Sequence, residues 1–382
     1  MRLNYRKLGD YIQQVNLKNT DGKLDTLVGV NLDKKFMPSV ANTIGTDLTK
    51  YKVIKKGQFG CKFMSVGRDG KLPISLMQEY DAALISSAYY VFEVKDENEL
   101  LSEYLMMWLS RSENDRYLWF MSGADVRGSI SWDDFCSIDI NIPSIEKQRE
   151  IVKEYKTITE RIKLNEQLNQ KLEETAQAIY KEWFVDFEFP DVNGKPYKSS
   201  SGEMEYCDEL GVEVPKGWKF VELNEMLDIK YGKDYKHLKK GKIPLYGSGG
   251  IMSFVNECLY SGESILIPRK GSLNNVLYIE QDFWTVDTMF YSIIKIQNSG
   301  KYLFHSLKDI DFHSLNVGSA VPSMTTSLLN SLKVLKPKSI VLKNFEKVLS
   351  PIYKHKVIVK AENKMLKHLQ QTLLSKMATI KG

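Results

Sequence analysis

The sequence says nearly the same thing twice, and this constrains its fold more than any other feature. Each half joins a β-patterned stretch of roughly 120–145 residues to a lone charged helical stretch of about 40. Gly128-Ser129-Ile130-Ser131, followed by Ile138, Ile140 and Pro143, matches Pro322-Ser323-Met324-Thr325, followed by Leu332, Val334 and Pro337, at one offset of 194 residues. An earlier pair matches at an offset near 200: Val66-Gly67-Arg68-Asp69-Gly70 with Ile267-Pro268-Arg269-Lys270-Gly271. Each leads to an aromatic strand, Tyr89-Tyr90-Val91-Phe92 or Met289-Phe290-Tyr291. A repeat of this kind predicts internal two-fold symmetry, suited to a ligand or partner that is itself two-part.

A chain of 382 residues has room for two domains, each with a real core. No apolar run approaches the roughly 20 residues of a membrane span. The stretch Met1-Arg2-Leu3-Asn4-Tyr5-Arg6-Lys7 lacks the apolar centre of a signal peptide. Cys61, Cys136, Cys207 and Cys258 are scattered and form no CxxC, which disfavours a disulfide framework or a zinc cage. These features predict a cytoplasmic protein with free thiols. The net charge of +5 is unevenly spread. Residues 144–188 carry 8 basic and 10 acidic side chains, whereas residues 338–382 carry 10 and 2. The two helical stretches can therefore attract each other, or the second can meet an anion.

Residues 1–143 read as short strands with turn punctuation and helical stretches. Val53-Ile54, before Lys55-Lys56-Gly57, and Ala83 to Phe92 have strand composition. Leu100 to Leu109 reads as a helix with Leu101, Leu105 and Trp108 on one face. Pro143 then opens a long helix with Ser144 as N-cap. A heptad frame fits Ile151, Tyr155, Ile158, Ile162, Asn165, Asn169, Leu172, Ala176, Ile179 and Trp183. A second frame fits Phe345, Leu349, Ile352, Lys356, Val359, Asn363, Leu366, Gln370, Leu373 and Met377. Two readings of the polar positions stand: asparagines buried in the seam that fix register, or a drift of the apolar stripe toward Leu168 and Leu369. Pro351, inside the second helix, is expected to kink it.

A 40-residue helix is about 60 Å long. Neither stripe is wide enough to stand alone, so the helices are expected to pair. Antiparallel pairing would put a globular domain at each end of a rod. Residues 185–217, rich in Pro, Gly and Ser, are expected to be a linker able to return the chain along it.

The sequence contains no GxxxxGKS/T loop, no GxGxxG after a strand, no HExxH and no NPPY-type tetrapeptide. The five histidines form no ligand cluster. Asp191 followed distantly by Asp228-Ile229-Lys230 is a faint nuclease-like pattern with unsuitable spacing.

The positive constellations are basic and glycine-rich. Lys230, Lys233, Lys236, Lys239, Lys240 and Lys242 fall within thirteen residues, with Tyr231, Tyr235 and His237 between them. Lysine neutralises phosphate as a mobile point charge, and aromatic rings lie against sugars or bases; a solvated loop is the bland alternative. Tyr246-Gly247-Ser248-Gly249-Gly250-Ile251 lets backbone approach a ligand while Tyr246 and Ser248 offer hydrogen bonds; an ordinary tight turn is the alternative. The Arg-Gly loops offer Arg68 with Lys71, and Arg269 with Lys270. An arginine fork can read guanine, whereas Lys270 can position. Arg127 is a further candidate whose repeat counterpart is Val321. In the first half Lys55, Lys56 and Lys62 join Arg68 and Lys71 as a local basic concentration.

These residues resemble the DNA-sequence specificity subunits of type I restriction–modification systems. The resemblance spans the chain. Its most specific part is Glu182-Trp183-Phe184-Val185-Asp186-Phe187-Glu188-Phe189-Pro190 through Gly194-Lys195-Pro196-Tyr197-Lys198-Ser199-Ser200, ending Val214-Pro215-Lys216-Gly217-Trp218. Ile142-Pro143, Gln148 and Ile151 resemble the family's start of the first conserved helix, and Tyr246 to Ile251 resemble a frequent element of its recognition domains. At the second helix Leu342 or Lys343 stands where a glutamine is expected.

The resemblance implies an α+β fold of two duplicated, mainly-β target-recognition domains, pseudo-two-fold symmetric and separated by an antiparallel pair of long helices. The implied segments are residues 1–143 and 218–337 for the domains, 144–184 and 338–382 for the helices, and 185–217 for the linker. It further implies a non-catalytic subunit that reads a split site in double-stranded DNA, one half per domain. Two methyltransferase subunits would dock on it, and restriction/translocation subunits would join that core. S-adenosylmethionine and ATP would belong to those partners, with no cofactor on this chain and no membrane contact. Half-sites one DNA turn apart lie about 34–36 Å from centre to centre, which a rod of this length can span. Two rival classes are an autonomous nuclease or methyltransferase and a coiled-coil scaffold that never touches DNA.

Overall fold

The computed structural model describes residues 5–39, 46–125, 128–209, 211–315 and 323–377. The fold mixes helices and sheets throughout. Two compact units divide the chain: residues 1–165 with 361–382, and residues 166–360. Both long helices, Ile145–Phe184 and Ser339–Lys376, contribute to both units.

In the first unit, an antiparallel sheet runs in the order Ile12–Val15, Tyr90–Val94, Phe59–Cys61, Ile74–Leu76. A second runs Phe36–Pro38, Leu27–Val30, Ala82–Ile85, Lys52–Lys55, with the middle two strands parallel. Phe59, Gly60 and Cys61 are all buried, so this short strand has neighbours on both faces. A Cβ at Gly60 would lie 2.9 Å from Ile85 Cδ1, so glycine sets how closely the two layers approach. Phe59 and Phe92 stack at 4.7 Å in the core. Lys34 and Asp115 form a buried ion pair at 2.8 Å. The sheets lead to helices Ser102–Leu109, Ser112–Met121 and Trp132–Cys136. The last is closed by a Ser131/Asp134 capping box.

Ser144 Oγ accepts from the Lys147 amide at 3.4 Å as the first long helix begins. Gln148 is fully buried. Its Oε1 accepts from the Leu101 amide, and its Nε2 donates to the Glu99 and Pro143 carbonyls, each at 2.9 Å. One side chain thus ties the helix start to the domain before it. At the second helix, Leu342 is buried in an apolar cluster, so the two starts are anchored by different physics. Within this unit the helices run antiparallel: Ile151 and Val152 share a core with Met377, Thr159 bonds Gln370, and Asn165 bonds Asn363.

In the second unit, an antiparallel sheet runs Leu227–Tyr231, Met289–Ile294, Glu263–Pro268, Leu277–Glu280. A three-stranded sheet joins Gly250–Val255, Lys240–Gly247 and Trp284–Thr285, the last pair parallel. The pairing scheme of the first unit therefore recurs, including one parallel pair and a closing ladder, here Lys219–Glu222 with Lys333–Lys336. Thr325 caps helix Thr326–Asn330 as Ser131 caps its earlier counterpart. Helix Ser112–Met121 has no counterpart among the described residues of this unit.

The stretch 185–217 is not the open linker its composition suggests. Phe187 and Phe189 are buried, and Phe189 lies between Tyr197 (4.5 Å) and Trp218 (5.2 Å). Met204–Cys207 and Val212–Pro215 form a hairpin. Phe184, at the helix end, meets Phe345 edge-on at 4.8 Å and Trp218 at 5.8 Å. Phe187, Phe189 and Tyr197 fasten the segment around Trp218, which outweighs the turn-forming glycines and prolines between them.

Candidate nucleic-acid interface

In the second unit, Arg269 emerges at the end of strand Glu263–Pro268, a run buried from Ser264 onward. Its guanidinium lies 5.4 Å from the centre of the Tyr231 ring, and Nη1 donates to the Asp287 carbonyl at 3.2 Å. The Tyr231 hydroxyl is 3.4 Å from Thr326 Oγ1. The planar cation is thus held against a ring with donors to spare. Beside it, Lys270 bridges to Ser323, and Gly271 has a φ of +83°. A Cβ at Gly271 would lie 3.0 Å from Ser248 Oγ, and Asn275 donates to the Ser248 carbonyl at 2.8 Å. The fold therefore brings the turn at Ser248 against Gly271, which directly follows Arg269 and Lys270.

Tyr246 does not join them. It is 5 % exposed and packs with Leu266, Phe283 and Met289, and Gln281 donates to its hydroxyl at 3.4 Å. Burial pushes its hydroxyl pKa up. It supports the turn from beneath and is not a surface contact. Lys230, Lys233, Lys236, Lys239 and Lys240 are exposed, as is Lys242. Lys230 has a loose partner in Asp228 at 3.8 Å. Lys233, Lys236, Lys239, Lys240 and Lys242 form no ion pair among the described residues. The nuclease-like pattern dissolves. Asp191 accepts from the Asn193 and Lys195 amides in its own turn, and Asp228 pairs with Lys295 at 2.7 Å. Among the described residues no cluster of His, Cys, Asp and Glu could hold a metal ion.

In the first unit the counterpart of strand Glu263–Pro268 is Phe59–Cys61, because both pair with the strand that ends their sheet's central ladder. The residue after that strand is Lys62, whose Nζ lies 5.8 Å from the centre of the Tyr89 ring. Lys62, not Arg68, therefore occupies the place of Arg269. A 3-10 turn, Phe63–Ser65, separates them and shifts the repeat. Arg68 is exposed, but its fork closes on Asp69 at 2.8 and 2.9 Å. That pair holds the Asp69 carboxyl below the usual range. Lys71 is exposed. Lys55 and Lys56 are also exposed but precede strand Phe59–Cys61, at the opposite end from Lys62. The five cations do not form one cluster.

Arg127 lies outside the described residues. Gly67 donates to the Gly128 carbonyl at 3.2 Å, and a Cβ on Gly67 would lie 2.1 Å from the Asp125 carbonyl oxygen. Trp119 Nε1 donates to the Gly67 carbonyl at 3.3 Å. Sequence reasoning passed over Trp119 and its exposed neighbour Phe120, because their helix has no repeat partner to flag it. Among the described residues no helix is long and apolar enough to cross a membrane.

Residues 43–174 and 215–367 match the profile of the type I restriction modification DNA specificity domain. The chain belongs to that family. It is 24 % identical over 306 residues to the type I restriction enzyme MjaIX specificity subunit of Methanocaldococcus jannaschii, covering 73 % of this chain and 68 % of that protein. It is 28 % identical over 220 residues to the type I restriction enzyme HindI specificity subunit of Haemophilus influenzae, covering 55 % of this chain and 46 % of that one, so the match spans about half of the second relative. Its fold resembles the crystal structure of a type I restriction–modification system S subunit from M. genitalium, with a TM-score of 0.57, 17 % identity and coverage of 99 % and 98 %.

In this specificity-domain protein the chemistry on offer is recognition. Arg269 supplies a fixed, planar set of donors, the lysines supply mobile charge, and Ser248 supplies a small polar group beside them.

Proposed function

We propose that the chain is the DNA target-recognition subunit of a type I restriction–modification complex. Residues 1–143 and 218–337 act as two recognition domains related by a pseudo-two-fold axis. Each reads one half of a bipartite site in double-stranded DNA. The antiparallel helices, 144–184 and 338–382, separate the domains, set the spacing and dock two methyltransferase subunits, which restriction/translocation subunits join. Methyl transfer and ATP-driven cleavage belong to those partners, with S-adenosylmethionine and ATP bound there.

The observation that carries this reading is the recurrence of one strand-pairing scheme in both units, with a cation directly after the equivalent strand in each: Lys62 after Phe59–Cys61 and Arg269 after Glu263–Pro268. A scaffold does not call for a basic residue at the same place in both repeats. Selection from a randomised duplex library, by the chain in complex with its methyltransferase subunit, tests it. Two specified blocks flanking an unspecified gap are expected; one contiguous block, or none, would overturn the reading. Methyl transfer by the purified chain alone would likewise count against it.

A further inference from the structure

Strand Gly250–Val255 is the edge of its sheet, and its four central residues, Ile251 to Phe254, are all exposed. Ile251 and Met252 are 54 % and 55 % exposed. A register shift makes Met252 the extra residue: Leu245 pairs with Ser253 and Tyr246 with Ile251. Such a bulge breaks the alternation of faces and re-aims a side chain. Gly247, across the ribbon, leaves room for it, since a Cβ there would lie 2.5 Å from Met252 Sδ. An edge strand with apolar side chains on both faces is normally covered or blunted. Among the described residues, none covers the exposed half of these two side chains.

The surroundings indicate what does. Residues 233–257 carry Lys233, Lys236, Lys239, Lys240 and Lys242 against Asp234 and Glu257. Those lysines form no ion pair among the described residues. At the other end of the ribbon, Ser248 adjoins Gly271, the residue after Arg269 and Lys270 in the chain. An apolar edge flanked at both ends by cations complements duplex DNA better than it complements an apolar protein face. A pair of strands also fits the major groove, about 12 Å wide, where the thymine methyl is the apolar feature. The third strand, Trp284–Thr285, pairs on the far side of Lys240–Gly247 and leaves Gly250–Val255 as the free edge.

We propose that the ribbon formed by Lys240–Gly247 and Gly250–Val255 enters the major groove at one half-site, and that Ile251 and Met252 recognise thymine by its 5-methyl group. This rests on the DNA-recognition reading above and adds a ribbon, a groove and a base. It requires at least one specified A·T pair in the half-site read by the second unit.

The test uses the complex with the methyltransferase subunit and the duplex it selects from a randomised library. Each thymine is replaced in turn by uracil, which removes the methyl and keeps the hydrogen-bonding edge. At one or two positions within a single half-site, the wild type should lose about fourfold in affinity, the worth of one buried methyl group. Ile251→Ala/Met252→Ala should bind the thymine duplex more weakly and show no further loss on uracil substitution. A uracil penalty unchanged in the double variant would overturn the proposal, as would wild-type binding indifferent to every replacement. Unchanged DNA affinity with loss of the methyltransferase subunit on co-purification would assign the ribbon to protein docking instead. Failure to select any motif would overturn the recognition reading itself.

Discussion

The Asn165 side-chain amide donates to Asn363 Oδ1 at 2.9 Å, and both residues are buried between the two long helices. Asn363 in turn donates to the Ile162 carbonyl at 3.4 Å. Leu168 and Leu369, the alternatives for an apolar seam, are 38 % and 52 % exposed. The polar residues therefore lie in the seam itself. A matched amide pair is satisfied in one register and orphaned in its neighbours. Asn363→Ala should destabilise the first unit by about 1–3 kcal/mol, because it leaves a buried amide short of a partner. Urea unfolding of the two proteins measures this. Leucine at both positions should recover most of the loss.

Glu173 joins the first long helix to the rest of the second unit. It pairs with Lys308 at 2.5 Å and with Lys356. Burial would raise its pKa, but the hydrogen bonds and charges of the two lysines prevail and bring it down to about 2. The folded pKa lies below the unfolded one, so this stabilisation is complete above the ordinary 4.5 and is lost as pH falls through about 2. The full effect is about 3 kcal/mol. Glu173→Gln should be less stable than wild type at neutral pH, and the two urea midpoints should converge in acid.

The His305 pKa is shifted in the same direction, but by burial rather than by charged partners. It is fully buried, with Nδ1 2.7 Å from Gln177 Oε1 and Nε2 3.0 Å from the Tyr353 hydroxyl. Burial brings its pKa down from 6.5 to about 4. Between those values the unfolded chain binds the proton and the folded one does not, so stability falls as pH drops across that window, by about 3 kcal/mol in all. His305→Phe should be less stable at neutral pH, since Gln177 Oε1 and the Tyr353 hydroxyl each lose their bond to the imidazole. Its unfolding profile should be flatter between pH 6.5 and 4.

Arg269 is held by the Tyr231 ring and the Asp287 carbonyl. Arg269→Ala should weaken selectivity in one half-site by about 1–3 kcal/mol if the fork reads a base. Competition binding against single-base variants of the target gives the profile. An equal loss on every sequence would place Arg269 on phosphate.

The long helices were the most legible part of the sequence. Every position of both heptad frames, Ile151 to Trp183 and Phe345 to Met377, is buried or half-buried, because a seam repeats often enough to stand above noise. The repeat at 194 residues likewise returns as two capped helices, behind Ser131 and Thr325. The site was less legible. Tyr246 looked exposed beside three glycines, yet burial depends on what packs beneath a turn, which local composition does not encode. Arg68 looked like the twin of Arg269, but the 3-10 turn at Phe63–Ser65 moved Lys62 into that place. Residues 185–217 read as a linker because Pro, Gly and Ser dominate the pattern, while a few well-spaced aromatics decide the packing.

Deletion of one heptad from each long helix is the most direct measurement. Seven residues shorten a helix by about 10 Å, or about three base pairs, and nearly preserve its facing. Library selection with the shortened chain, in complex with its methyltransferase subunit, should return the same two specified blocks with the gap between them reduced by about three base pairs. The same blocks at an unchanged gap would contradict a spacing measured by the helices.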